Sequence, residues 1–348
     1  MQTKPALAPL PACRLPQPLI DGHGRPVHYL RLSVTDRCNL HCLYCRNLGR
    51  QQFIPHPQIL RYEEIVRLVG LMSAGGVTKL RLTGGEPFVR RGCEHLLVML
   101  RERFPQLDLR LTTNGTLLEP HVPLLGRLGL GAVNLSLDSF DRQTFAQVTG
   151  HDLLPAVLSA LDALLAAGIR VKINAVAMRG INDRQLDDFI HAARSLPVDV
   201  RFIEFMPMGA GTHWSPESFW PAAEIFREVA ARVALAPEQQ VLRNAGPARM
   251  YRVLGGRGRL GFIAAVSNHF CASCNRLRLT CNGNLRTCLF DDHEYRLRGL
   301  LRHRACDDAQ LARVLRLACL KKPVGAELLR NRPQGQAVAG TPMAAIGG

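Results

Sequence analysis

Six cysteines fall into two groups of three, a pattern that suits metal or redox chemistry better than disulfides. The groups are Cys38, Cys42 and Cys45, and Cys271, Cys274 and Cys288. Eleven cysteines in all, an odd number without a secretory signal, argue against a disulfide scaffold. Three thiolates on a short loop hold three irons of a 4Fe–4S cube and leave the fourth iron open. The alternative is a zinc site that includes His41, whose position between two of the cysteines makes closure awkward.

Composition excludes disorder as the dominant state and leaves the positive charge to be explained. The 348 residues are 47% hydrophobic and 21% charged, which is enough to build a full core. Lys and Arg number 44 against 28 Asp and Glu, a net charge of +16, and only five of the 44 are lysine. Such an excess suggests nucleic acid, but the arginines are scattered along the chain rather than clustered. We expect binding to neither nucleic acid nor membrane, and a cytoplasmic location.

Strand-like and helix-like segments alternate through the first 210 residues. The predicted strands cover 29–35, 79–83, 107–113, 132–137, 170–178 and 198–205, with helices near 61–74, 92–104, 120–128, 141–167 and 183–195. Six such units predict an α/β fold: an incomplete (β/α)6 TIM-type barrel with a parallel sheet. Catalytic residues of parallel α/β folds lie at the carboxyl ends of strands, where Cys38, Gly84, Thr113, Ser136 and Met206 fall.

The pattern changes after residue 210. A helix near 221–233, short strands at 248–254, 258–266 and 276–280, and helices near 294–301 and 307–320 predict an α+β extension. We therefore expect a loose Pro-rich tail over 1–26, a barrel over 27–210 and a C-terminal domain over 211–348 that carries the second cysteine group.

Two motifs resemble the radical S-adenosylmethionine (SAM) superfamily. The segment 35–45, TDRCNLHCLYC, resembles its cluster-binding loop, and Thr83-Gly-Gly-Glu-Pro87 resembles its GGEP motif. The resemblance implies that SAM chelates the open iron and that an electron from the cluster releases a 5′-deoxyadenosyl radical. It also implies SAM contacts at Tyr44, Gly84, Gly85, Glu86, Ser136 and Met206.

The second cysteine group narrows the resemblance to the GTP 3′,8-cyclase family of molybdenum cofactor biosynthesis. Matching stretches include Leu111–Gly115, Asn134–Asp138, Gly180–Asp183 and Arg201–Met206. The resemblance implies two 4Fe–4S clusters and conversion of GTP to (8S)-3′,8-cyclo-7,8-dihydro-GTP by hydrogen abstraction at the ribose 3′ position. Implied GTP contacts are Arg31, Arg81, Thr112, Lys172, Arg276, Leu277 and Arg278. Implied catalytic residues are Arg276, Arg278, Gly347 and Gly348, the last two threading into the active site.

The family resemblance also implies partners. These are a downstream cyclic pyranopterin monophosphate synthase and an electron donor such as flavodoxin or ferredoxin, and a homodimer is compatible with it. The chain departs from the family at Arg46-Asn47, where Met-Pro often follows the third cysteine. Cys281 lies between the second and third ligands of the second group; we expect Cys288 to be the iron ligand, because its Cys-Leu-Phe context matches the family, and Cys281 to be a buried strand thiol. Two alternatives stay open: a radical SAM enzyme that modifies a peptide, and a non-enzymatic module that binds zinc and nucleic acid.

Overall fold

A twelve-stranded sheet organises the part of the chain that the structure, a computed structural model, describes: residues 18–45, 53–209, 212–238, 246–331, 337–341 and 343–347. In chain order, strands β1 to β12 are Tyr29–Ser33, Lys79–Thr83, Asp108–Thr113, Ala132–Ser136, Val171–Ala177, Asp199–Glu204, Leu235–Pro237, Arg249–Val253, Arg259–Ile263, Arg276–Leu279, Asn284–Arg286 and Tyr295–Arg296.

Helices pack along this sheet. Helices α1 to α11 of the described residues are Tyr62–Ala74, Cys93–Arg103, Val122–Arg127, Arg142–Thr149, Leu154–Ala166, Leu186–Ser195, Ala222–Ala230, Leu297–Arg302, Asp308–Leu320, Gly325–Arg330 and Met343–Ile346. Helix α1 shows why these segments are helical: Ile65, Leu68, Val69 and Met72 recur at helical spacing and are buried. Its first turn is closed by Glu64, whose carboxylate accepts a 2.7 Å hydrogen bond from the Arg61 amide.

The strand order confirms the predicted fold class. It reads β12-β11-β10-β1-β2-β3-β4-β5-β6-β9-β8-β7, and the pairs from β10 to β9 are parallel. Strands β9 and β10, from the C-terminal part, pair with β6 and β1 and so extend the barrel at both edges. The antiparallel strands β7, β8, β11 and β12 cover those edges. The predicted extension is therefore continuous with the barrel sheet.

Alternation along each strand separates the hydrophobic core from a polar interior. On β2, Leu80 and Leu82 are completely buried in the hydrophobic core, whereas Arg81 between them lines the barrel interior. The register places Arg278, Arg31, Arg81 and Arg110 side by side across β10, β1, β2 and β3. The fold itself thus concentrates cations on the inner face of the sheet.

The prediction of a loose tail over 1–26 needs correction for its last residues. Leu19 is buried and its amide donates to the carbonyl of Gly75, while Asp21 and Arg25 form a buried ion pair of 2.6 Å. Composition could not reveal the Leu19 contact, because its partner Gly75 is distant in sequence. Residues 1–17 lie outside the described residues, as do Arg46-Asn47 and Gly348.

The helical segment predicted over 141–167 is two helices. Gly150 adopts φ +75°, a left-handed conformation that ends α4, and α5 begins again with Pro155 in its first turn. In the described part of the chain, no single helix is both long and apolar enough to cross a membrane; α4 and α5 meet the test only together and are bent by 104°.

Candidate active site

The first cysteine group lies in the loop after β1, and its three thiols are close enough to interact electrostatically. Burial, followed by the carboxylate of Asp138 and the other two thiols, raises the pKa of Cys42 well above its usual value. Two donors reach the sulfur of Cys38: the Leu40 amide at 3.4 Å and the Asn114 side chain at 3.7 Å. Such N–H groups stabilise a thiolate and tune an iron–sulfur cluster. The three thiols therefore share one loop, although among the described residues no group of three or more His, Cys, Asp or Glu side chains is already arranged to hold a metal ion.

The Gly84-Gly85-Glu86 segment is paired with the same loop. The Gly85 amide donates to the Thr35 carbonyl at 2.7 Å, and the Glu86 amide donates to the Arg37 carbonyl at 2.8 Å. A Cβ on Gly85 would collide with the Arg37 carbonyl and lie 3.0 Å from the Cys38 Cβ. Only glycine allows this approach, so the two motifs singled out in the sequence form one structural unit.

The Glu86 carboxyl group is engaged inside the protein. It accepts hydrogen bonds from Thr113 Oγ1 at 2.8 Å and the Asn114 amide at 2.7 Å. Burial raises its pKa to about 7, and these hydrogen bonds oppose the rise. The side chain thereby ties the second strand end to the third. The contact between Glu86 and SAM that the resemblance implies stays a prediction.

Tyr44 is oriented by a residue that the sequence analysis did not single out. Its hydroxyl donates to Asp138 Oδ2 at 2.8 Å, and Asp138 Oδ1 accepts from the Val176 amide at 2.8 Å. Burial raises the pKa of Asp138 to about 6. Ser136, at the end of β4, and Met206, after β6, also lie at carboxyl ends of strands. The predicted SAM contacts therefore fall at one end of the barrel.

The second cysteine group is assembled from two separate segments. Cys271 and Cys274 precede β10 and Cys288 follows β11, yet the three thiols interact electrostatically. Cys281 is not part of this group; its thiol is buried beside Ser33 and Asp36. Burial alone would raise the pKa of Cys274, but the cations of Arg276 and Lys322 lower it to about 7. A Cβ on Gly325 would lie 2.8 Å from Cys288 Sγ and 3.5 Å from Cys271 Sγ, so glycine keeps this space open.

Two buried cations brace the loop of the second group. Arg25 donates to the Cys271 carbonyl at 2.7 Å, and Lys322 Nζ donates to the carbonyls of Cys274 and Arg276 at 2.7 and 2.9 Å. Neither role was predicted from the sequence, because both side chains act on a loop distant in the chain. These hydrogen bonds hold the backbone of the loop that carries Cys271 and Cys274.

A cavity of about 250 Å³ opens inside the barrel beside the second cysteine group. All three of those cysteines line it, and so does Met206. Its cationic lining residues are Arg31, Lys79, Arg81, Arg110, Lys172, Arg201, Arg276 and Arg278. Among the described residues that line it, none is Asp or Glu. The excess of positive charge in this lining favours binding of a highly charged anion.

Burial makes the charged forms of these side chains unfavourable in free energy unless an anion is bound. It lowers the pKa of Arg31 to about 10 and that of Arg201 to about 9, with repulsion from Arg81 contributing to both. Lys172, buried and repelled by Arg201, has its pKa lowered to about 7. Arg201 Nε and Nη2 are buried without a hydrogen-bond partner among the described residues. The sequence analysis did not single out Arg201 as a ligand, although its alternation with hydrophobic residues on β6 was a usable signal.

The other predicted substrate contacts differ in whether their side chains face the cavity. Arg81 Nη1 donates to the Leu111 carbonyl at 2.7 Å and reaches Thr112 Oγ1 at 3.5 Å, while its Nε donates to Tyr29 at 2.5 Å. Leu277 has no exposed side-chain surface and packs in the hydrophobic core, away from the cavity. Any contact of Leu277 with a ligand is therefore restricted to its backbone.

The chain end reaches the same cavity region. Arg278 Nη1 donates to the Gly347 carbonyl at 2.6 Å. Gly347 has φ +79°, and a Cβ there would lie 2.9 Å from Thr83 Cγ2 and 3.2 Å from Ser33 Cβ. The position therefore requires glycine on both conformational and steric grounds.

Two family models match this chain: the radical SAM superfamily over residues 32–193, and Molybdenum Cofactor Synthesis C over residues 198–328. A GTP 3′,8-cyclase of Syntrophomonas wolfei is 42% identical over 83% of this chain and 89% of its own. One of Rhodobacter capsulatus is 43% identical over 89% and 93%. The crystal structure of Streptococcus suis SuiB bound to S-adenosylmethionine superposes with a TM-score of 0.57 at 15% identity, covering 90% of this chain and 68% of that one. That likeness concerns the fold alone.

Proposed function

Since this chain belongs to the radical SAM GTP 3′,8-cyclase family, we propose that the barrel cavity binds GTP and that its conversion to (8S)-3′,8-cyclo-7,8-dihydro-GTP takes place there. Membership of this family excludes the alternative hypothesis, a non-enzymatic module that binds zinc and nucleic acid. The proposal concerns which residues of the chain carry out the reaction.

One observation carries the proposal: eight cationic side chains and three thiols line one cavity that lacks carboxylates among its described lining residues. A nucleoside triphosphate supplies the charge that such a set of cations requires, and arginine forks match phosphate oxygens. Binding of an anion would also offset the burial and the mutual repulsion that together lower the pKa values of Arg31, Lys172 and Arg201. The basic excess of the chain thus has a local use in a single nucleotide site.

The chain offers a site for each cluster. Cys38, Cys42 and Cys45 would hold the first, with the backbone of Gly84 and Gly85 and the side chains of Tyr44, Ser136 and Met206 facing SAM. Cys271, Cys274 and Cys288 would hold the second. Each set has three thiols and leaves one iron for a non-protein ligand. When bound, the first cluster and SAM supply the radical that removes a hydrogen atom from the substrate.

The protein's own part is to bind and orient GTP. Arg81, Lys172 and Arg201 would hold the triphosphate, with Arg31 and Thr112 beside them. Arg276 and Arg278 alternate on β10, whose register with β1 places Arg278 next to Arg31. The guanine end would then face the second cysteine group, next to Arg276. This orientation would present the ribose toward the end of the barrel where the predicted SAM contacts fall.

Arg278, Arg276 and the terminal glycines would complete the reacting region. The hydrogen bond between Arg278 and the Gly347 carbonyl fixes a guanidinium that burial would otherwise disfavour, since burial lowers its pKa well below the usual value. A glycine backbone fills the space without a side chain that would exclude substrate. We assign the product to a downstream cyclic pyranopterin monophosphate synthase and the electron supply to a flavodoxin or ferredoxin.

Iron content and nucleotide binding test this assignment together. The reconstituted protein should hold about eight irons, two cubes of four, and each triple Cys→Ala variant of one group should hold about half. GTP should bind the variant that lacks the first group and bind more weakly to the one that lacks the second. Equal GTP affinity in both variants would contradict a substrate site beside the second group.

A further inference from the structure

The strongest unexplained feature is how the chain end is held in place. We define the C-terminal strap as residues 337–341 and 343–347. Its first part is fastened to the loop after β6: the Val338 amide donates to the Pro207 carbonyl, and the Gly209 amide donates to the Ala339 carbonyl, both at 2.8 Å. The strap therefore begins against the loop that also carries Met206.

A carboxylate holds the middle of the strap. Asp292 Oδ2 accepts a 2.8 Å hydrogen bond from the Gly340 amide, and Asp292 Oδ1 accepts a 3.2 Å hydrogen bond from the Thr341 hydroxyl. Arg286, whose side chain is fully buried, forms a 3.3 Å ion pair with Asp292. Arg286 also donates to the Asp291 carbonyl, which fixes the turn from which Asp292 projects.

An apolar contact holds the end of the strap. Ile346 has no exposed surface and packs in a small cluster with Met208, Phe290 and Ala339. The side chain of Cys288 packs against the same cluster. Ile346 immediately precedes Gly347, so its position decides where the Gly347 carbonyl meets Arg278.

Cys288, Phe290 and Asp292 thus belong to one turn. Cys288 is part of the second cysteine group, whereas Phe290 and Asp292 contact the strap. We propose that Asp292 is a positioning residue, and that the turn of residues 288–292 couples the second cysteine group to the seating of Gly347 on Arg278. The proposal rests on the proposed function only in taking Cys288 as an iron ligand. Ordering the turn by cluster binding would tighten the strap, and by linkage a docked strap would stabilise the turn.

Hydrogen–deuterium exchange of the strap in the reconstituted full-length protein tests this directly. Asp292→Ala removes both acceptors, and Asp291→Ala is the matched control because the Asp291 carboxylate accepts its hydrogen bond from the His293 amide, whereas the Gly340 and Thr341 hydrogen bonds go to Asp292. We expect exchange of the strap peptides to rise about tenfold in D292A and to stay at the wild-type rate in D291A. Iron content should be unchanged in both, and D292A should turn over GTP several-fold more slowly.

Two further variants make smaller changes to the same hydrogen bonds. Asp292→Asn retains one acceptor oxygen and should give an intermediate exchange rate, and Thr341→Val removes only the hydroxyl donor. Strap exchange in D292A equal to wild type, or equal acceleration in D291A, would overturn the proposal. The coupling predicts faster strap exchange in Cys288→Ala as well; unchanged exchange there, with iron lost, would overturn it. Unchanged iron in that variant would instead contradict the ligand assignment, and the result for D292A would still decide the role of Asp292.

Discussion

Arg278 Nη1 donates a 2.6 Å hydrogen bond to the backbone carbonyl of Gly347, which joins a strand of the barrel to the chain end. Arg278 lies on β10 in register with Arg31 on β1, and Ser33 and Thr83 flank the position where Gly347 would carry a Cβ. Gly347 therefore lies where β10, β1 and β2 meet. Four predictions about the cavity and its surroundings follow from this arrangement and from the charges near it.

Gly347→Ala should lower turnover of GTP by roughly 10–100-fold, because a Cβ 2.9 Å from Thr83 Cγ2 displaces the carbonyl from Arg278. Gly340→Ala is the control, since a Cβ there would meet Asp292 at an ordinary 3.6 Å. Steady-state rates and iron content measured on both variants check this. Normal turnover in G347A would show that the glycine requirement has no catalytic consequence.

Arg201→Met should weaken GTP binding and stabilise the ligand-free protein. The buried guanidinium has two nitrogens without a partner among the described residues, so it costs free energy until an anion arrives. We expect the Kd for GTP to rise roughly 10–100-fold and the Tm of the ligand-free protein to increase.

Arg170→Met is the matched control for Arg201. Arg170 is half-exposed, pairs with Asp199 at 3.0 Å and does not line the cavity. Calorimetric titration with GTP and thermal unfolding should separate the two variants. Wild-type affinity in R201M, or a loss of affinity in R170M as large as in R201M, would argue against a phosphate contact at Arg201.

GTP binding should become weaker as the pH rises through 7. Burial, with repulsion from Arg201, Arg170 and Arg110 and opposed by Asp199, lowers the pKa of Lys172 to about 7. Below that pH the free protein already holds the ammonium group. Above it, binding of the triphosphate must recruit a proton, because an anion raises the pKa of the amine.

Titrations at pH 8 in buffers of different ionisation enthalpy measure that proton uptake. The Tyr29 phenol in the same cavity has its pKa lowered to about 8, where the pull of Arg81 and Arg31 outweighs burial. Lys172→Gln should therefore remove the step near pH 7 and retain a step near pH 8. A pH profile that is identical in K172Q and wild type would rule out Lys172 as the source.

Cys288→Ala should lower the iron content from about eight to about four per chain, whereas Cys281→Ala should leave it unchanged. Cys288 interacts with Cys271 and Cys274, while burial and the Asp36 carboxylate raise the pKa of Cys281 to about 12. Iron and sulfide assays after anaerobic reconstitution distinguish them. Iron loss in C281A with retention in C288A would reverse the ligand assignment.

Local patterns were sufficient to predict the barrel strands. The alternation of Lys79 to Thr83 predicted the bounds of β2 as the structure has them, and the helix predicted to end near residue 74 ends at Ala74, before Gly75. The same local patterns could not predict that β9 and β10 join β6 and β1. A short buried strand looks alike at a barrel edge and in a separate domain, because pairing is decided by distant residues.

The residues of the candidate site also divide into those that local patterns predict and those whose contacts are distant in sequence. The first cysteine group and Gly85 belong to contiguous motifs, so the sequence alone could single them out, whereas Lys172 was predicted only through the family resemblance. Asp138, Lys322 and Asp292 could not be predicted, because each acts on a segment far away in sequence. For Leu277 the family resemblance implied a substrate contact without saying which atoms make it, and strand alternation turns its side chain into the core.

We propose that this chain couples SAM cleavage to cyclisation of GTP in the barrel cavity. The most direct measurement is anaerobic incubation of the reconstituted protein with SAM, dithionite and each nucleoside triphosphate in turn. We predict that 5′-deoxyadenosine and a 3′,8-cyclised product accumulate together with GTP, and that ATP, CTP and UTP give neither above the rate without nucleotide. Formation of 5′-deoxyadenosine that is no faster with GTP than without it, in protein that carries both clusters, would contradict the account.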